Sequence, residues 1–109
     1  IKIDENQFDA ASVVNGCLPA FVDLFVESLS DGAVLCGLKR DISYKLIAQT
    51  IIGSIKLMQD SKDHPGLLKD KVTSPKGTTI EGVKALEENN FRASLIKAVE
   101  ASFNKSKNM

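Results

Sequence analysis

The chain has 109 residues, 43% of them hydrophobic and 26% charged, which is the size and composition of one globular domain with a single core. Its fourteen basic side chains balance fourteen acidic ones, so no overall positive field exists to attract a phosphate backbone, and nucleic acid is excluded as the expected partner. The opening stretch IKIDENQFD is acidic and polar, and the apolar runs stop short of the roughly 18 residues that a membrane span requires, so a cytoplasmic protein without membrane contact is expected.

Alternation of period two never persists, and the chain reads as all-α, a bundle of five to six helices. A short first helix is predicted over Asp9 to Val14, with Asp9 as its N-cap and the Asn15-Gly16 pair as its end. Pro19 fits the first turn of a second helix reaching about Leu35, in which Phe21, Leu24, Phe25, Leu29 and Ala33 recur at three and four. Gly37 closes it. Asp41 is a good N-cap for a third helix that runs to about Asp60. The middle of that helix, LIAQTIIGSI between Lys45 and Lys56, makes about three turns with no charge on any face. A helix apolar all round has to be covered all round, which a domain this small does poorly. An intertwined homodimer is therefore expected, with this helix near its axis and Gly53 and Ser54 allowing another helix to come close.

His64-Pro65 opens a short fourth helix to about Lys71, with proline at its first position, and the loop VTSPKGTT follows. Thr78 and Glu81 have the spacing of a capping box. The helix they open carries Ile80, Val83 and Leu86 on one stripe and stops at Asn89-Asn90. A last helix from about Phe91 turns Phe91, Leu95, Val99 and Phe103 inward and frays in KSKNM.

Little in this pattern looks like a catalytic engine. The single histidine, His64, stands before a proline at a helix start and reads as a capping residue. Cys17 and Cys36 lie far apart with no further ligand at metal spacing, so they read as free thiols and no metal site is expected. No glycine-rich strand-to-helix turn marks a nucleotide site. The loop is different. A capping box uses only Thr78 and Glu81, leaving Thr73, Ser74 and Thr79 without a purpose just ahead of unpaired N–H groups that suit a carboxylate or phosphate. Gly77 lets the backbone approach such a ligand. From the pattern alone two readings stand: an anion site, or a loop that merely caps its helix.

The segment HPGLLKDKVTSPKGTTIEGVKALEENNFRASLIKAVEASFNKS resembles the signature end of the pyrroline-5-carboxylate reductase family. Upstream, NGCLPAFVDLFVESLSDGAVLCGLKRD resembles that family's Ser-Gly-Ser-Gly-Pro-Ala-Tyr helix, and YKLIAQTIIGSIKL its long interface helix. The likeness spans essentially residues 1–109 and implies the helical C-terminal domain that dimerises and binds substrate. It also implies an N-terminal Rossmann domain for NADH or NADPH that this sequence lacks, so the isolated domain is expected to be inactive. The intact enzyme is expected to reduce 1-pyrroline-5-carboxylate to L-proline. By the resemblance, the substrate-carboxylate loop falls on Val72, Ser74, Gly77 and Thr79, and a hydroxyl near the substrate nitrogen falls on Ser12.

Three departures from the family stand out. Its glycine pair becomes Lys76-Gly77, which removes backbone freedom and adds an ammonium; its Ser-Gly-Ser-Gly becomes Asn15-Gly16-Cys17-Leu18; and Phe21 replaces a tyrosine. The alternative from another class is a helical dimerisation or interaction module without chemistry, for which the Ser74 and Thr79 hydroxyls have no use.

Overall fold

A computed structural model of the chain describes residues 1–108. A 3-10 turn at Glu5–Gln7 leads into five helices: α1 (Phe8–Leu35), α2 (Arg40–Ser61), α3 (Pro65–Lys71), α4 (Thr78–Glu88) and α5 (Phe91–Lys107), with no strand among the described residues. The all-α expectation holds. Two compact units divide the chain, one made of Ile1–Asp23 with the segment from Leu86 onward, the other of Leu24–Ala85.

The two helices expected on either side of Asn15-Gly16 are one. Pro19 sits inside α1, where its fixed φ is compatible with a helix and its missing N–H forfeits only the bond to the Asn15 carbonyl. Ala10 and Ala11 before it and Ala20 and Leu24 after it favour helix on both sides. Gly16 makes no turn, and a Cβ placed there would meet nothing within 4 Å. Asp9 lies in the first turn of α1 rather than at its cap. Asp4 takes the capping role one turn earlier, its backbone N–H donating to Gln7 Oε1 at 3.3 Å. Because the helix does not break, Glu5–Leu35 runs for 31 residues and is long and apolar enough, by length and composition alone, to cross a membrane. That corrects the expectation of interrupted apolar runs; a helix covered by protein has the same composition.

Within the unit Leu24–Ala85, α1 ends in a tight turn. The Leu38 N–H reaches back to the Ala33 carbonyl at 3.0 Å, and Gly37 adopts φ +108°, where a side chain is strained. Lys39, not Asp41, precedes α2, and Asp41 lies in its first turn, where a carboxylate favours the positive end of the helix. Across this turn Ser30 of α1 and Ser43 of α2 are both fully buried. Their hydroxyl directions follow by elimination. Ser43 donates to the Arg40 carbonyl at 2.7 Å, so Ser30 donates to Ser43 at 2.5 Å and accepts from Arg40 Nη1 at 3.0 Å. Arg40 Nη1 also meets Asp31 at 2.6 Å, and that hydrogen bond raises the pKa of the guanidinium.

Apolar burial is scarce. Among the described residues Val13 is the one buried hydrophobic side chain. Leu24, Phe25 and Leu29 of the α1 stripe are exposed, as are Leu46, Ile52, Ile55 and Leu57 of α2. Only Ile47, Ile51 and Met58 of α2 are half-covered by their own chain.

Candidate functional site

The loop between α3 and α4 is built around one turn, closed by the Gly77 N–H on the Ser74 carbonyl at 3.0 Å. Pro75 presets the second position, and Lys76 takes the third at φ +61°, a left-handed conformation that suits glycine or asparagine better than lysine. Lys76 holds this conformation at some strain. Gly77 has no room for a side chain: a Cβ there would stand 2.6 Å from Ser74 Oγ and 3.2 Å from the Ser74 carbonyl oxygen.

The loop's hydroxyls fall into two groups. Thr73 Oγ1 is occupied, donating to the Lys69 and Asp70 carbonyls at 3.0 and 3.1 Å and so finishing α3. Ser74, Thr78 and Thr79 have no side-chain hydrogen bond among the described residues, and Ser74 and Thr79 are exposed. The expected capping box is absent among the described residues: Thr78 is the first residue of α4, and neither Thr78 nor Glu81 makes a side-chain hydrogen bond. The reason is local. The Ser74–Gly77 turn closes so tightly that Gly77, not Thr78, is where the chain enters the helix. The N–H groups of Thr78, Thr79 and Ile80 are thus the unpaired donors at the start of α4. Gly77's own N–H is spent on the turn.

Val72 follows α3 and is exposed, as are Ser74 in the loop and Thr79 in the first turn of α4, while Gly77 between them is half-buried. Lys76 takes part in no ion pair among the described residues. Ser12 belongs to the other unit, exposed on α1 beside an open cleft lined also by Cys17, Ser102 and Lys105. In that unit Leu95, Val99 and Phe103 of α5 line an apolar groove with Ala10, Val13 and Val14 of α1.

His64 is a cap, as its sequence context implied: its Nδ1 accepts the Gly66 N–H at 2.9 Å. Both cysteines are free thiols. No group of three metal-ligating side chains exists among the described residues. Sequence reasoning missed the Ser30–Ser43 contact. The available signal was a serine on the apolar side of α1 beside Leu29 and another in the first turn of α2, each on a surface otherwise carrying hydrocarbon.

The family described as pyrroline-5-carboxylate reductase dimerisation matches residues 5–109. The pyrroline-5-carboxylate reductase of Synechocystis is 46% identical over all 109 residues, which span 41% of that relative. The enzyme of Escherichia coli is 47% identical over 96 residues, 88% of this chain and 36% of the relative. The crystal structure of Plasmodium falciparum pyrroline carboxylate reductase with NADP bound superposes with a TM-score of 0.93 at 42% identity, over 99% of this chain and 41% of that one. The Streptococcus pyogenes 1-pyrroline-5-carboxylate reductase gives a TM-score of 0.96 at 29% identity, over 100% of this chain and 42% of that one.

Proposed function

This chain belongs to the pyrroline-5-carboxylate reductase dimerisation family, and from that premise we propose that it is the helical domain through which such an enzyme pairs with a second copy and holds its substrate. The intact enzyme reduces the C=N bond of 1-pyrroline-5-carboxylate to give L-proline, in the cytoplasm and without nucleic acid or membrane as a partner. The match over residues 5–109 carries the reading. The exposed apolar surface supports the pairing, because covering one leucine-sized side chain contributes about 1.5–3 kcal/mol and several such residues are open on α2.

The substrate's carboxylate is assigned to the α3–α4 loop. Unpaired N–H groups at the start of a helix, with its partial positive charge, match a planar anion, and the unoccupied Ser74 and Thr79 hydroxyls supply further donors. Val72 and Gly77 frame the same loop. Saturating the imine adds a hydride to carbon and a proton to nitrogen, and Ser12 is assigned to hydrogen-bond that nitrogen. NADPH or NADH supplies the reducing equivalent in the relatives' reaction. The residues of this chain do not fit that cofactor's pyrophosphate, because no strand and glycine-rich turn precede any helix among the described residues. They are given only the substrate side of the reaction, by positioning and electrostatics.

Ile52 tests the reading cleanly, being 60% exposed in the single chain. Ile52→Glu is expected to leave the protomer's own packing intact but to shift sedimentation from dimer to monomer or to unfolded chain at micromolar concentration. A compact monomer before any substitution would refute the pairing.

A further inference from the structure

We infer that the polar clasp of Ser30, Ser43 and Arg40 presets the α1–α2 hairpin within the single chain, so that dimerisation joins hairpins already formed. The inference rests on the homodimer reading above. Ser30 and Ser43 are the fully buried side chains of a unit whose hydrocarbon is largely exposed, so hydrogen bonds rather than a core align these two helices. Every partner comes from the same chain. Ser30 and Ser43 are 13 residues apart, bridged by a short turn, and closing so short a loop has a small entropic cost.

Nearby hydrocarbon packs incompletely, since Leu29, Leu46, Ile47 and Ile51 line a cleft and Ile47 and Ile51 are only half-covered. Serine side chains are small enough to bring α1 and α2 close, and among the described residues no buried side-chain polar atom is left without a partner. A satisfied polar contact of this kind adds little net stability, but it penalises any other alignment, which strands the buried hydroxyl of Ser30 or Ser43.

The consequence is kinetic. If a preset hairpin is the binding-competent form, weakening the clasp lowers its population and slows association in proportion, while dissociation of the assembled dimer stays as it was. A contact that matters only inside the finished dimer would instead speed dissociation.

The test uses full-chain copies labelled for energy transfer, with association and dissociation rates measured for the unsubstituted chain, Ser30→Ala, Ser43→Ala and the double variant. Each single change is expected to slow association roughly 5- to 20-fold at constant dissociation rate. The double variant should be no slower than the slower single, because both break one clasp. Hydrogen exchange on the unsubstituted chain, diluted until monomeric, gives a second readout that does not depend on any variant folding. Amides from 30 to 44 should be protected at least tenfold more than those of α5. Unchanged association rates, a change confined to dissociation, or uniform exchange along the chain would overturn the clasp and leave the dimer standing. A chain that never dimerises would overturn both readings.

Discussion

Two turns of this chain carry clustered hydroxyls, and they use them in opposite ways. At the α1–α2 turn Ser30 and Ser43 are fully buried and every hydroxyl proton has an acceptor in the same chain. At the α3–α4 turn only Thr73 is so occupied among the described residues, while Ser74 and Thr79 face solvent with no side-chain partner among them, beside the helix's first N–H groups. The difference separates hydroxyls that hold the fold from hydroxyls that the fold leaves unused. A hydroxyl consumed internally has already given its free energy to stability; one kept open has given little and remains able to bind.

Substitutions should break the comparison in a graded order, each read in an intact enzyme carrying this domain. The largest effect on binding is expected from Gly77→Val, whose side chain collides with Ser74 and forces the turn apart. Substrate affinity should fall by about 100-fold or more, with the Michaelis constant as the measurement, since both the turn and the orientation of the α4 N–H groups are lost. Thr79→Val comes next. Removing one hydrogen bond to a charged group should weaken substrate binding roughly 10- to 100-fold at a nearly constant melting temperature, and Ser74→Ala should act in the same sense. Unchanged Michaelis constant and turnover in both would reduce the loop to a connector.

On the other side, Arg40→Ala removes the donor to Ser30 and the ion pair with Asp31. The pair itself is exposed and contributes little. Loss of the bond to a buried hydroxyl should lower the melting temperature by a few degrees, leaving the Michaelis constant where it was. The smallest effect is expected from Thr78→Ala. Its side chain makes no cap bond, so stability should shift by no more than about 0.5 kcal/mol in a denaturant titration. A loss of about 1 kcal/mol or more would mean that Thr78 caps α4 in solution after all.

How much of this could be read in the sequence varies with how local the cause is. Helix class, the α2 and α3 spans and the His64 cap follow from spacing, proline and glycine placement, all set by neighbours in the chain. The apolar middle of α2 was legible too, because a charge-free helix announces that something must cover it. Continuity through Pro19 was not. A proline's effect depends on whether flanking residues nucleate helix on both sides, which a single-residue rule ignores. The missing Thr78–Glu81 box had a similar cause, as the backbone path from Ser74 to Gly77 decides which residue enters the helix. The candidate loop was visible as leftover hydroxyls once capping was subtracted. Ser30 and Ser43, by contrast, become neighbours only when the turn at Gly37 folds back.

Buried hydrocarbon is scarce in the single chain, so the pairing proposed above would tie folding to the protein's own abundance. Where a second copy completes the core, each tenfold dilution removes about 1.4 kcal/mol of the free energy holding the pair together. A cell that makes too little of the protein would lose it to proteolysis faster than in proportion, and one making a defective copy alongside a sound one would lose part of the sound copy as well.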